Sequence, residues 1–527
     1  MRTVAVVLFL AVFAPAWSAA PAGEPRALQA AVDGLTDRQS VSSIRAVQRF
    51  YEGNGYQPVW TSGARQARRL RDLLGAIEAS AAQGLEPAHY HLDAIRRGLD
   101  EPPVEAAERI ALELRASDAW MLLAGHYHSG LLNPLSLDPQ WHAARRDFDG
   151  AQALDQALGD GDLFGQLARQ LPTDPYYLRL VELLQRYRAM PDWEPLAPGA
   201  VLERGARGPS VARLRRRIVV EMGLPDLDSG DEALFDGDLE TAVRAFQARH
   251  GLLADGVVGP ATRHELATPR AGRIEQIRVN LERLRWLPGE LGRRHIRVNI
   301  ADYSLQAWED GVPALAMKTI VGLSYRRTPV FSADMDHVVL NPSWYVPRRI
   351  AVQDKLPLIR EDSGYLERNG YEVLSQGRLV DPAAVDWSAL GPDDFPYVLR
   401  QRPGPDNALG KVKFMMPNPF DVYLHDTNDR DLFRQPQRSF SSGCIRLEQP
   451  LELLDWVLAE TPAWPPETSR AVLDSGEEQR VALDQPVPVH IEYRTAWVYA
   501  DGTVQFRPDL YGRDRLVAAA LERGPQR

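Results

Sequence analysis

A single cysteine stands in the 527 residues of this sequence. No internal disulfide can form, and no zinc site built from several cysteines can be assembled. Excess positive charge is missing too, since 61 basic residues face 71 acidic ones for a formal charge of -10. Nothing global then draws the chain to nucleic acid or anionic lipid, and no nucleic acid partner is expected. Long apolar runs are also absent: the stretch from Val4 stops at Ala14, well short of the about 20 apolar residues that span a bilayer. No other stretch approaches that length, so no permanent membrane span is expected. With Arg2 ahead of it and Pro15 and Ser18-Ala19-Ala20 behind it, the run reads as a secretory signal over residues 1–20, cleaved near Ala20. The protein is therefore expected to be exported, to the periplasm.

What is present fits a soluble multidomain protein, with 44% hydrophobic and 25% charged residues and a length suited to three or four units of roughly 150 residues. Residues 24–190 show helical periodicity: Ile44, Val47 and Phe50, then Leu70, Leu73, Leu74 and Ile77, then Leu178, Val181 and Leu184, which predicts an all-α scaffold. Its His126, His128 and His142 lack a carboxylate at helical spacing, so they read as polar-face and core positions and no metal site is expected. Prolines between Pro191 and Gly199 mark a linker. Residues 200–268 then carry apolar faces at Val211, Leu214 and Ile218 and at Leu239, Val243 and Phe246, followed by Asp255-Gly256-Val257-Val258-Gly259-Pro260-Ala261-Thr262. Pro260 suits the first turn of a third helix, completing a small bundle.

A connecting helix is expected over 271–291, from the stripe Ile274, Ile277, Leu281 and Leu284 that ends at Trp286-Leu287-Pro288. The period then changes to two, as in His295 to Ile300, Ala316 to Val321, Val338 to Leu340, Val487 to Ile491 and Thr495 to Tyr499, predicting a mainly β domain over 293–527. Within it, 355–405 is rich in Gly, Pro and Asp and reads as an irregular insertion, a mobile cap or lid. The fold class expected is multidomain α+β, with the small bundle forming a unit separable from the β domain.

The residues able to do chemistry lie in that β domain: Tyr423-Leu424-His425-Asp426-Thr427, then Ser441-Ser442-Gly443-Cys444-Ile445-Arg446. A thiol of ordinary pKa, about 8.5, is only a few per cent ionised at neutral pH, so a nucleophilic cysteine wants a base or a cation beside it. His425 can be that base. Cys444 can also be a small buried hydrophobe, but glycine before it and serines around it describe a turn with exposed backbone N–H groups.

Two resemblances sharpen this reading. Ala242 to Gln247 with Asp255 to Thr262 resembles the peptidoglycan-binding module attached to many cell-wall enzymes, though a three-helix spacer that binds nothing has the same pattern. The Arg213-Arg215-Arg216-Arg217 cluster suits either acidic wall polymers or a solvated helix face. His425 through Arg446 resembles the active-site signature of the YkuD-type L,D-transpeptidases, in the large branch with a helical scaffold and a peptidoglycan-binding module. Phe50-Tyr51, Pro58, Trp60, Gly84-Leu85, Tyr90, Trp286-Leu287-Pro288, Asn341-Pro342, Trp344, Pro347, Leu356-Pro357 and Ile491 to Trp497 extend the match over most of the chain. Ser442 and Arg446 stand where smaller members have histidine and asparagine, a variant typical of the large branch.

The resemblance implies that Cys444 attacks the bond between the third residue of a peptidoglycan stem and its terminal D-alanine, with His425 as general base and then acid. A second stem's side-chain amine takes the acyl group. Gly443 and Cys444 are expected to offer backbone N–H groups to the oxyanion, and the Asp426 carbonyl to orient His425. Arg446 is expected to hold a substrate carboxylate or to pair with a local acid. Ser441, Ser442 and Tyr423 are further substrate-binding candidates, while Trp344 and Tyr345 are placed either to line the cleft or simply to pack. Donor and acceptor stems, glycan strands on the small module, and carbapenem-type β-lactams as inhibitors are the expected partners; no cofactor is implied. An L,D-carboxypeptidase or a lipoprotein-to-wall ligase shares this motif, and a non-catalytic wall-binding scaffold is the reading from another class. No carboxylate pair stands out to suggest a glycosidase.

Overall fold

The computed structural model describes residues 23–35, 42–142, 146–225, 227 and 230–524; the expected signal over 1–20 lies outside them. Among the described residues no helix is long and apolar enough to cross a membrane.

The N-terminal region is helical and built around the helix Ala106–Ser129. Leu112, Ala116, Ala119, Trp120, Leu123 and Ala124 are buried on several of its sides, as befits a helix with neighbours all round. Glu113 is a deeply buried acid anchor on it, as is Asp118. The Glu113 carboxylate accepts the N–H groups of Val59 and Trp60 and the hydroxyls of Thr61 and Tyr51, which satisfies a charge that would otherwise be costly to bury. Aspartate side chains cap the following helices, Asp149 on Ala151 and Asp174 on Tyr176, filling N–H groups that a helix start leaves open.

The small bundle comprises Pro209–Met222, Gly237–Arg249 and Pro260–Leu266 around Val211, Leu214, Ile218, Phe235, Leu239, Val243, Phe246, Val258 and Leu266. Gln247 secures its last turn, donating to Asp255 Oδ1 and the Val257 carbonyl at 2.9 Å each and accepting from the Gly256 N–H at 2.8 Å.

The bundle, expected as a unit separable from the β domain, makes buried contacts with its neighbours. The next helix, Arg270–Arg285, packs on the scaffold helix Pro175–Ala189 and on the C-terminal helix Asp514–Arg523, and it reaches into the bundle through charge. Arg273 pairs with Glu221 at 3.2 Å and Glu265 at 2.8 Å, while Glu221 also pairs with Arg217 and lies 3.6 Å from the His250 ring, which burial pushes down to about 4 and keeps neutral. All five side chains are buried. His250 and Arg273 also meet Phe506 of the β domain. Buried, paired charges thus join the bundle to that helix, and breaking one partner would leave the others uncompensated out of water.

In the C-terminal domain, strands β1 (Arg294–Asn299), β2 (Ser304–Glu309), β3 (Val312–Gly322) and β4 (Phe331–Leu340) come first. β5 (Trp344–Tyr345), β6 (Tyr371–Ser375), β7 (Arg378–Val380) and β8 (Val398–Gln401) follow. Next are β9 (Val412–Met415), β10 (Leu424–His425), β11 (Ser439–Ser441), β12 (Ile445–Leu447) and β13 (Gln479–Glu492). The large sheet runs β11-β3-β12-β10-β9-β4-β13-β1-β2, and β2 pairs back onto β3. It therefore closes on itself, leaving few open edges. β14 (Ala496–Val498) and β15 (Val504–Phe506) form a separate hairpin.

The insertion leaves the barrel after β4 and returns at β9, as its place in the sequence suggests, but it is not irregular. Strands β5-β8-β6-β7 make their own sheet over a core of Trp344, Val346, Leu356, Ile359, Leu366, Tyr371, Val373, Phe395 and Leu399. Its order escapes a composition reading because β5 pairs with β8, Trp344 opposite Gln401, across a long stretch of chain.

Candidate active site

The site forms where β10 lies between β9 and β12. In the parallel β10–β12 ladder Leu424 faces Ile445 and His425 faces Arg446; in the antiparallel β9–β10 ladder His425 faces Lys413. Side chains alternate along a strand, so Tyr423 and His425, Cys444 and Arg446, and Lys413 share one face.

His425 is buried, and its Nδ1 lies 2.5 Å from the Asp426 carbonyl. A carbonyl only accepts, so Nδ1 carries the proton and Nε2 keeps its lone pair. Burial first, then the positive charges of Arg446 and Lys413, push the imidazole down to about 3, so it is neutral at physiological pH. The Asp426 carboxylate turns elsewhere, accepting from the Lys411 N–H at 2.8 Å and Arg430 Nη1 at 3.0 Å. This close seat depends on Gly410, where a Cβ would lie 2.2 Å from Asp426 Oδ2. Gly410→Ala is expected to destabilise the domain by about 2 kcal/mol or more, because the backbone there is also left-handed; chemical denaturation checks this.

The turn carrying Cys444 is tightly tied. Ser441 Oγ donates to the Cys444 carbonyl at 2.5 Å, and Thr328 Oγ1 donates to the Gly443 carbonyl at 2.8 Å. Gly443 sits at φ 125, a region that glycine alone enters cheaply. Its N–H donates to Ser441 Oγ at 3.1 Å. Of the two expected oxyanion donors, the Gly443 N–H is thus engaged in this structure, and the Cys444 N–H has no hydrogen-bond partner among the described residues. Cys444 Sγ lies 3.6 Å from the Asp421 carbonyl, and no hydrogen bond joins it to His425 in this structure. Burial pushes the thiol up, opposed by hydrogen bonds from Tyr423 and by the charges of Lys413 and Arg446. The resting pair is thus neutral thiol and neutral imidazole.

The flanking residues divide. Arg446 pairs with Asp429 at 2.8 Å, the local acid of its two expected roles. Ser442 is exposed, and its Oγ accepts from Arg326 Nη1 at 2.9 Å. Arg326 also donates to Asp354 Oδ1 at 2.7 Å, which ties the insertion to the cysteine turn. Tyr423 packs against the insertion's core and lies edge-on to His425, ring centroids 5.6 Å apart. Trp344 and Tyr345 do not line one cleft together. Adjacent strand residues point to opposite faces, so Trp344 is buried in the insertion's core while Tyr345 is 57% exposed. The sequence reading missed Arg326 and Lys413; the alternation in Lys411-Val412-Lys413-Phe414 was the available signal for Lys413. Among the described residues, no group of three or more His, Cys, Asp or Glu is placed to hold a metal ion.

Comparison with known proteins places this geometry. Residues 293–467 match the L,D-transpeptidase catalytic domain, YkuD, residues 211–266 match the family described as "Putative peptidoglycan binding domain", and residues 45–184 match the scaffold domain. Over residues 293–467 the C-terminal domain is thus similar to the L,D-transpeptidase catalytic domains. A relative from Haemophilus influenzae named "Putative L,D-transpeptidase" is 38% identical over 257 residues, 48% of this chain and 51% of that protein. The chain therefore spans about half the length of the curated relative it matches. Among solved structures, the L,D-transpeptidase of Xylanimonas cellulosilytica is 16% identical with a TM-score of 0.15, covering 56% of this chain and 100% of its own. A mutant of the Enterococcus faecium L,D-transpeptidase is 11% identical, also at 0.15, covering 38% of this chain and 50% of its own. Overlaps that loose have no bearing on the site.

Proposed function

We propose that the protein is an exported, periplasmic L,D-transpeptidase that links third residues of two peptidoglycan stems through an acyl-enzyme on Cys444. The observation that carries this reading is the pairing of a tied Ser-Ser-Gly-Cys turn with a neutral imidazole, one strand away, whose Nε2 is left as a lone pair. Cys444 Sγ turns from the Asp421 carbonyl toward His425 and gives up its proton to Nε2. The sulfur adds to the carbonyl of the third stem residue, and the Cys444 N–H stabilises the oxyanion. His425 returns the proton to the departing D-alanine amine, then takes one from the incoming amine of the acceptor stem. The Asp426 carbonyl holds the ring throughout. No metal or cofactor enters these steps. The small bundle would hold glycan strands, placing the stems at the cleft.

The test is incubation with a disaccharide tetrapeptide and mass spectrometry of the products. Cross-linked dimer is expected; tripeptide alone would favour an L,D-carboxypeptidase, and no release of D-alanine would overturn the reading.

His425→Ala is expected to slow acylation about 100-fold or more near pH 7 and to recover in part at alkaline pH, where Cys444 ionises unaided. The folded imidazole prefers the neutral form, so the wild-type base remains available as pH falls through 6.5 toward about 3. The same preference costs stability over that window, because the unfolded histidine takes its proton first. Acylation followed by carbapenem adduct formation from pH 5 to 10 checks these rates for the wild type and the variant.

A further inference from the structure

We propose that Lys413 is the fixed counter-ion of the Cys444 thiolate, a second charged member of the site beside the Cys444 and His425 pair. The inference rests on the reading of Cys444 as nucleophile. Lys413 lies on β9 directly opposite His425, on the face that carries Tyr423 and Cys444. Its Nζ sits 4.0 Å from the centroid of the Tyr423 ring, and the N–H of Ile445, next to the cysteine, donates to the Tyr423 carbonyl at 3.1 Å. No ion pair or hydrogen bond occupies this ammonium among the described residues. An unpaired ammonium held half-buried over an aromatic face is costly unless a negative charge forms nearby.

The groups around it name that charge. Burial draws the Lys413 ammonium down from its ordinary value, and the charges that hold it up are Cys444 first, then Glu478 and Asp421. Glu478 is already engaged by the Ser343 N–H at 2.7 Å, and Asp421 is exposed. Arg446, the other cation facing the thiol, is paired with Asp429, which leaves Lys413 as the free charge. Residue type agrees: Lys413 is one of four lysines among 61 basic residues, and a compact point charge suits a single sulfur better than a planar fork does. Burial and Arg446 keep His425 neutral, and the same Lys413 ammonium adds to that preference, so one cation favours both the ionised nucleophile and the unprotonated base.

Iodoacetamide measures this without any stem peptide. The S–H bond breaks with its proton passing to solvent, the sulfur lone pair forms the S–C bond, and iodide leaves. Lys413→Met is expected to move the alkylation midpoint up by about one pH unit and to slow alkylation at pH 7 about tenfold, with Lys413→Arg restoring most of the rate. Should the Met variant not fold, Lys413→Gln carries the same readout. An unchanged midpoint in a folded variant would overturn the proposal, and so would a raised KM for tetrapeptide with an unchanged midpoint, which would make Lys413 a substrate-carboxylate contact. Alkylation as expected in a protein that fails to cross-link would uphold Lys413 and remove the cross-linking reading.

Discussion

Cys444→Ala is expected to abolish transfer and carbapenem adduct formation while the protein stays folded. The loss should be at least about 1,000-fold, because the residue forms the covalent bond and no neighbour can replace it. The chain has no other thiol, and Ser442 is held by Arg326. The cost to folding should be only about 1 kcal/mol, since the ties of the turn run through backbone carbonyls that alanine keeps. Ser441 Oγ still meets the residue 444 carbonyl, and Thr328 Oγ1 still meets Gly443. Intact-protein mass spectrometry after carbapenem treatment, with circular dichroism alongside, gives the answer. Cross-linking at the wild-type rate would remove Cys444 as nucleophile.

Much of this site was legible because its parts are close in sequence. His425, Asp426 and the Ser-Ser-Gly-Cys turn lie within one short stretch, and the glycine before the cysteine marked a turn where N–H groups matter. The fate of the Gly443 N–H was not legible, since it depends on which way Ser441 rotates. Lys413 was hidden for a different reason: only strand register sets it opposite His425, and a slip of one residue would put Val412 there instead. Trp344 and Tyr345 show the same rule, as neighbours that face opposite ways.

Fold class and unit order followed from hydrophobic period, while the contacts between units did not. The bundle's apolar face at Val211, Leu214 and Ile218 reads correctly from spacing and is buried. Arg217 and Glu221, on the same helix, look like a solvated surface pair in sequence and are buried as well. Glu221 meets Arg273 of the helix Arg270–Arg285, and the Arg217 guanidinium lies 4.4 Å from the centroid of the Trp193 ring; a local pattern carries no sign of such distant partners.

That burial sets the second large effect. Glu221→Ala is expected to cost about 3–5 kcal/mol, because it leaves Arg217 and Arg273 facing each other out of water with the shared carboxylate gone. Arg273 keeps Glu265, but Arg217 keeps only carbonyl acceptors at Leu266 and Thr268. Against the upward push of burial, the His250 imidazole and the Arg273 and Arg217 guanidiniums hold the Glu221 carboxyl well below the usual carboxylate range. Its stabilisation is therefore complete above the ordinary carboxylate pKa and is lost only as pH falls toward the depressed folded value. The difference in Tm between wild type and variant should accordingly be full at pH 7 and shrink in strong acid. Glu221→Gln, which keeps the shape and some hydrogen bonds, should lose less than alanine. Because the joint also meets Phe506, the loss should reach the β domain and lower the melting of the whole chain, whereas a tethered module would melt alone. A Tm within about 2 °C of wild type at pH 7 would mean that the charges at the seam are reached by water and that the bundle is free to move.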